Sequence, residues 1–451
     1  MNHFTIIMNP KKSWEAFEPS EKTPWTKKMV AHLYRRGGFG GTYSELKNAE
    51  TQSPGDVVDS MFATESSSFL KEIKTLERQI RSGGNVSSLP NFWLYRMAKS
   101  KSQLLEKTTL FWHGHFATSA EKVDDVGMML DQNNLLRENA LQKFMPLVLA
   151  ISKDPAMLTY LDSKENRKTR PNENYSRELM ELFCLGLGNY NEDDIKQIAR
   201  AFTGWEIKND KFRFNKYQHD YGTKEFLGSS GEFNGEDAVE IVLKQKSSSE
   251  FIAKKLINYF VTDSPVDTSI VRPIANLLSE TNFDVGATIK TILKSNFFYE
   301  SIGKKIRSPI ELGVGLLRTI EATGNFVQLS TTLGELGQRP FFPPNVKGWT
   351  GGRSWINSAT LLSRVNMVGE LLNDEKTKYS HGGLEGLVKH YNQQSPEQML
   401  QFFEELLLAR NLTQSAKKKL LQLLTNKKES SENRIRQTVY AIAALPEFQL
   451  A

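Results

Sequence analysis

The chain has 451 residues, of which 39% are hydrophobic and 24% charged, and its formal net charge is +6. These fractions exclude global disorder and an integral membrane protein, and a chain of this length can bury a large core without disulfides or metals. The single cysteine, Cys184, cannot form an internal disulfide and is interpreted as core packing. The scattered charge and the lack of a nucleic-acid motif argue against DNA or RNA as a partner.

The first 25 residues predict an irregular leader, because they contain Pro10, Pro19 and Pro24. The apolar run Phe4–Met8 is too short for the hydrophobic region of a signal peptide. The chain as given is therefore expected in the cytoplasm, unless an export signal was removed before this numbering began.

A predicted helix from about Asn91 runs into the segment FWHGHF, which carries His113 and His115 around Gly114. In a continuous helix the two imidazoles would point about 200° apart, so they can chelate one ion only if Gly114 breaks the helix. Such a pair suits zinc or another divalent ion. The alternative is that both histidines are hydrogen-bonded, partly buried groups among their aromatic neighbours.

The stretch from residue 171 to residue 205 predicts an αα-hairpin. Asn172 or Asn174 can cap a first helix that runs to about Leu185, where glycines end it. Asn191 caps a second helix, whose first turn is acidic, as the helix dipole favours.

The first helix of this hairpin carries a charged face. Arg177 and Glu181 stand four residues apart and can pair. Glu178 and Glu181 share a face, so together they can hold a cation or a proton.

Residues 206–232 alternate charged and aromatic side chains, which favours a short β-hairpin or a long ordered loop. His219 and Asp220 are a candidate acid/base or ligand pair, and Lys224 is a candidate anion contact. The alternative is that this segment is a structural plug over the helical core.

The segment 341–357, FFPPNVKGWTGGRSWIN, contains too many prolines and glycines for a regular element. It predicts a structured loop that presents Trp349, Arg353 and Trp355. Aromatic faces beside a guanidinium suit sugar stacking or peptide binding, although Trp also commonly anchors a loop to a core.

The predicted fold is all-α and multi-helical, with the small β-hairpin or long ordered loop inserted near 206–232, because no strand–helix alternation is present. We expect a leader at 1–25, an N-terminal helical domain at 26–300 with the candidate site, and a C-terminal helical domain at 301–451.

Five motifs occur in an order that resembles one protein family. They are AHLYRRGGFG at 31–40, FWHGHF at 111–116, NENYSRELMELFCLGLGNY at 172–190, ARAFTGW at 199–205 and HDYGTKEFLG at 219–228. From about Val30 to the C-terminus the chain resembles the bacterial domain-of-unknown-function 1800 family (DUF1800). The resemblance implies a mostly helical protein of unassigned activity, often exported and often encoded beside a sulfatase-like family. Members usually carry His where this chain has Phe183, so a ligand role for that position is absent here.

The first functional hypothesis is a divalent-metal-dependent hydrolase that acts on a glycan, an ester or a sulfated polymer. Its candidate catalytic residues are Glu173, Arg177, Glu178, His219, Asp220 and Lys224. Its candidate metal ligands, for zinc, manganese, iron or calcium, are His113, His115, Glu178 and Glu181. Its candidate substrate contacts are Asn174, Tyr175, Trp205, Trp349, Arg353 and Trp355. This hypothesis requires the histidines and carboxylates to converge on one water-accessible cavity.

The second hypothesis is a non-catalytic partner protein. In that case the polar motifs are buried hydrogen-bond networks, and the 341–357 loop binds a sulfatase-like protein or a polysaccharide. The substrate class in both hypotheses follows the family's sulfatase-like neighbour, by analogy.

Overall fold

The computed structural model describes residues 10–451, and helices dominate this part of the chain. The helices before the predicted αα-hairpin are α1 (Pro10–Ser13), α2 (Lys27–Gly37), α3 (Tyr43–Glu50), α4 (Pro54–Ser60), α5 (Ser67–Gly83), α6 (Leu89–Lys99), α7 (Gln103–His115), α8 (Ala120–Val123), α9 (Val126–Asn139), α10 (Phe144–Ser152) and α11 (Pro155–Tyr160). Short 3₁₀ turns lie at Val86–Ser88 and Ser163–Glu165.

The middle of the chain holds the αα-hairpin and two β-hairpins. These elements are α12 (Asn174–Glu178), a π-helix (Leu179–Cys184), α13 (Glu192–Ala201), β1 (Trp205–Lys208), β2 (Lys211–Phe214), β3 (Lys224–Phe226) and β4 (Ser229–Gly231). Strand β1 pairs antiparallel with β2, and β3 with β4. The prediction of a small β insertion near 206–232 is therefore confirmed.

Helices return after the β-hairpins. They are α14 (Gly235–Leu243), α15 (Lys246–Phe260), α16 (Thr268–Glu280), α17 (Val285–Lys294), α18 (Asn296–Tyr299), α19 (Pro309–Thr319), α20 (Phe326–Glu335), α21 (Ser358–Asn373), α22 (Leu384–His390), α23 (Pro396–Leu407), α24 (Gln414–Leu424) and α25 (Ser431–Ala443). Strands β5 (Ala322–Thr323) and β6 (Lys378–Tyr379) pair with each other, and 3₁₀ turns lie at Gly352–Trp355 and Pro446–Gln449.

The second helix of the αα-hairpin is capped where its sequence predicts, but the first is not: its N-cap position is Glu173, between the predicted Asn172 and Asn174, and no side chain caps it. Asn191 and Asp194 form a reciprocal capping box at the start of α13. The first helix changes from α to π geometry, and the N–H groups of Leu185 and Gly186 both donate to the Met180 carbonyl, at 2.9 and 3.0 Å. Gly186 then ends it with a φ of +79°.

The described part of the predicted leader is more ordered than its prolines suggest. It contains α1, and the Trp14 indole donates to the Ile270 carbonyl at 2.8 Å. Phe17 N–H donates to the Lys294 carbonyl at 2.8 Å. The segment is therefore held on α16 and α17, while the run Phe4–Met8 lies outside the described residues.

A buried ion-pair cluster joins the first and last parts of the chain. The Glu311 carboxylate, at the start of α19, accepts from Arg36 at 2.7 Å and also from the Lys107 ammonium. Arg36 and Lys107 are fully buried, and Glu311 nearly so. The predicted boundary near residue 300 thus has charged groups packed across it, and the division into two domains stays a prediction.

Replacing Glu311 by Gln removes the only carboxylate that this cluster contains among the described residues. Arg36 and Lys107 would then be buried without a counter-charge, and we expect the variant to lose about 3–5 kcal/mol of stability. Thermal unfolding followed by circular dichroism tests this. The control is Glu385→Gln, which breaks an exposed pair with Lys389 on α22. Equal melting temperatures for the two variants would contradict the prediction.

Candidate functional site

A cavity of about 590 Å³ lies where the C-terminal end of α7, helix α15, the segment 305–311 and the 341–357 loop meet. Among the predicted site residues, it is lined by His115, Trp349, Arg353 and Trp355. Elements far apart in sequence therefore build one site.

The 341–357 loop is attached to α7 through backbone groups. The Phe341 N–H donates to His113 Nε2 at 3.0 Å. Gly348 has a φ of +72°, and a Cβ built there would stand 2.1 Å from the Gly114 carbonyl oxygen. Only glycine permits this approach. Burial lowers the pKa of His113 to about 3, so its imidazole is neutral and accepts the loop's N–H.

His115 points to the other side of the same helix. Its Nε2 lies 2.9 Å from the Phe183 carbonyl in the π-helix, so that nitrogen carries the proton. Nδ1 is then an acceptor, and it has no partner within residues 10–451. Burial, with the nearby charge of Lys255, holds the pKa of His115 well below its usual range. His115 therefore contributes a neutral imidazole to the cavity wall, with its Nδ1 buried.

The cavity also holds cations without counter-ions. Lys255 on α15 is half-buried, and desolvation lowers its pKa. Neither Lys255 nor Lys347 nor Arg353 makes an ion pair in the described part of the chain. Both carboxylates on the wall are already paired, Asp263 with Lys305 and Glu311 with the buried cluster. The free charge in the cavity is positive.

Aromatic rings complete the wall. Trp349 packs with its ring centroid 5.6 Å from that of His113, and its buried Nε1 has no acceptor in the described chain. Trp355 is only 8% exposed, and Tyr259 and Phe111 also face the cavity. A ligand here meets flat apolar faces beside positive charge.

Two carboxylates, Glu178 at the end of α12 and Glu181 in the π-helix, lie near Lys347 of the cavity wall. Burial, followed by repulsion from Glu181, raises the pKa of Glu178, and the charge of nearby Lys347 opposes this shift. The Tyr190 hydroxyl donates to Glu181 at 3.1 Å. Glu178 and Glu181 thus form a carboxylate pair, as their spacing predicts, next to a lysine that lines the cavity.

Arg177 does not pair with Glu181, the partner that its spacing suggests. It makes a two-pronged bond to Glu192 of α13, at 2.8 and 2.9 Å, and a longer contact with Glu173. These residues form an exposed ion-pair group outside the cavity.

His219, Asp220 and Lys224 form a separate cluster. Asp220 accepts from Arg200 at 2.7 Å, and His219 Nδ1 donates to the Thr203 carbonyl at 2.8 Å. The Lys224 ammonium donates to two backbone carbonyls, of Asp220 and Gly222. Their polar groups are engaged in holding the β-hairpins on α13, which is the geometry of a structural plug.

The remaining predicted substrate contacts lie away from the cavity. Trp205 is buried between Phe202 and Phe212, and the Tyr175 hydroxyl bonds to that of Ser152. Asn174 is exposed at the start of α12.

The predicted metal ligands are divided among three places. Helix α7 continues through Gly114, so the break required for joint ligation by His113 and His115 is not made. Across residues 10–451, no group of three or more His, Cys, Asp or Glu side chains is placed to hold a metal ion. Metal ligation by these residues stays a prediction.

Sequence reasoning misses the residues that give the cavity its charge. Lys255 lies on α15 and Asp263 in the turn that follows it. Lys305 lies between α18 and α19, and Glu311 lies at the start of α19. No local motif marks them, since lysine pairs occur throughout the chain. The one local signal is the Ser308–Glu311 capping box, which predicts the start of a helix and does not indicate a cavity.

The structure defines a mostly helical protein with a positively charged, aromatic-lined cavity. The family model described as "Protein of unknown function (DUF1800)" matches residues 32–450, so the chain belongs to the DUF1800 family. No curated protein and no solved structure matches it. Within residues 10–451, no helix is both long enough and apolar enough to cross a membrane.

Replacing Gly348 by Ala tests how the loop is held. The added methyl would collide with the Gly114 carbonyl, so we expect the 341–357 loop to detach from α7 and exchange its amide hydrogens faster. Hydrogen exchange with mass spectrometry measures this. Gly188→Ala is the control, because Gly188 also has a positive φ but has nothing within 4 Å of an added Cβ. Unchanged protection of the loop in Gly348→Ala would contradict the prediction.

Proposed function

We propose that this protein binds an anionic saccharide, such as a sulfated polymer end, in the cavity between α7, α15 and the 341–357 loop. The observation that carries the proposal is Lys255, a half-buried cation on the cavity wall with no carboxylate partner in the described chain. A bound sulfate or carboxylate would neutralise this charge and form a charge-assisted hydrogen bond with it.

The other cavity groups fit the same ligand class. Trp349 and Trp355 provide faces on which sugar rings stack. Arg353 can hold a second anionic group. The family resemblance links such chains to a sulfatase-like protein. A sulfated polymer is a ligand that this protein and the sulfatase-like protein could share.

Titration with sulfated maltotetraose, followed by tryptophan fluorescence and calorimetry, tests this proposal. We expect binding of the sulfated sugar and none of unsulfated maltotetraose. Lys255→Met should weaken binding about tenfold to hundredfold, because it removes a hydrogen bond between charged groups.

Lys254→Met is the matched control. Lys254 is an exposed neighbour that carries the same charge but does not line the cavity. Equal loss of affinity in both variants would mean that only overall charge matters, and equal binding of the two sugars would reject the proposal.

A hydrolase is the second candidate, and the raised pKa of Glu178 favours it. A protonated Glu178 could act as a general acid at the cavity edge, while Glu181 could orient water or help to hold a divalent ion. This chemistry would act on a glycan or an ester.

If Glu178 is the acid, activity should fall as pH rises through its raised pKa, and Glu178→Gln should abolish that activity. Rates on aryl glycosides and aryl esters between pH 4 and pH 9 check this. Glu173→Gln, which alters an exposed carboxylate near Arg177, should keep the wild-type profile. Elemental mass spectrometry of wild type and of Glu178→Gln determines whether a metal takes part.

A further inference from the structure

A second positively charged surface is formed by residues 163–170, which precede α12, and residues 205–217, which follow α13. We call it the basic hairpin surface. The Lys168 N–H donates to the Gln218 carbonyl at 2.9 Å, and the Gly204 N–H to the Asn166 carbonyl at 3.0 Å. Arg167 pairs with Glu206 of β1 at 3.3 Å. The two segments therefore form one surface, and none of their residues lines the cavity.

This surface concentrates the charge of the chain. Its 21 residues contain eight Lys and Arg and three Asp and Glu, a net charge of +5, whereas the whole chain carries +6. The separation of the two segments in sequence hides this concentration until the fold joins them.

Most of these cations have no ion-pair partner in the described part of the chain. Glu206 forms ion pairs with two of them, Arg167 and Arg213. The others are exposed and make no ion pair within residues 10–451: Lys164, Lys168, Arg170, Lys208, Lys211 and Lys216.

The end of the β1–β2 hairpin places two like charges face to face. Lys208 is directly opposite Lys211 in the strand register, across a turn at Asn209 and Asp210. Like charges in directly opposed positions destabilise a hairpin. A bound anion would remove this repulsion.

Exposed aromatic rings follow the β1–β2 hairpin, with Phe214 on the face opposite Lys208 and Lys211 in the strand register. Phe214 is 45% exposed, Tyr217 74% and Tyr221 59%, all within eight residues of sequence. The Lys216 ammonium lies 5.3 Å from the centre of the Tyr217 ring. Exposed apolar rings of this size are typical of binding surfaces.

We propose that the basic hairpin surface binds an extended acidic or sulfated polysaccharide. The cations are spread over an exposed ribbon and the adjoining loop, and such an arrangement meets anionic groups that project from both sides of a sugar chain. The exposed Tyr217 ring beside Lys216 stacks on an adjoining sugar ring. Single-stranded nucleic acids are bound by grooves that follow the phosphate backbone, so the polysaccharide is the better match.

The test uses the full chain with dextran sulfate, and neutral dextran as the reference polymer. We expect dextran sulfate to bind and its affinity to fall with rising salt, because ions are released from both partners. The double variant K208Q/K211Q should bind about tenfold more weakly, while circular dichroism shows an unchanged fold.

The matched control is K427Q/K428Q, which removes two exposed lysines from the turn after α24 and should bind as wild type does. Equal affinities for K208Q/K211Q and K427Q/K428Q would overturn the proposal. Tighter binding of a poly(dT) oligonucleotide than of dextran sulfate would assign the surface to nucleic acid instead and would also overturn it.

Discussion

The buried Glu311 carboxylate is the interaction on which the central architecture depends. It receives Arg36 from α2 and Lys107 from α7, and its Oε2 also accepts the Ser308 N–H at the start of α19. Side chains from three helices that are distant in sequence thus meet at one charged group. Since buried charges are tolerated only when they are paired, these helices can pack only in an arrangement that satisfies Glu311.

The cavity exists because this cluster leaves polar surface beside it. Arg36 also donates to the Tyr259 and Phe260 carbonyls, which holds the C-terminal end of α15 against α2. The next turn brings Asp263 to Lys305, while the Gly348–Gly114 contact places the 341–357 loop above. Lys255 faces the space between them without a carboxylate of its own. Each carboxylate of the cavity wall is therefore paired with a cation, whereas Lys255 has no carboxylate partner in the described chain.

The helical class and the αα-hairpin are predictable because their signals are local. The capping box at Asn191 and the positive-φ glycine Gly186 act within a few residues of where they stand. The same holds for the β insertion, whose strands pair across short turns.

The site could not be predicted in the same way. His113 and His115 are adjacent in the sequence pattern, yet their helix sends one ring to Phe341 and the other to Phe183. Conversely, Lys255 and Trp349 meet only through tertiary packing, and no spacing rule connects them. A pair of histidines is visible in a sequence, whereas an unneutralised lysine becomes visible only when every nearby carboxylate has been assigned.

The π-helix at Leu179–Cys184 has a consequence for how this region could change. A π turn is equivalent to an α-helix with one residue inserted, so the segment holds one residue more than its length requires. Loss of a single residue here would restore α geometry without breaking the helix. The carbonyl of Phe183, inside the π turn, is the group that accepts the proton of His115 Nε2. A segment tightened to α geometry would place its carbonyls differently, so the π turn supplies the acceptor that fixes the tautomer of His115.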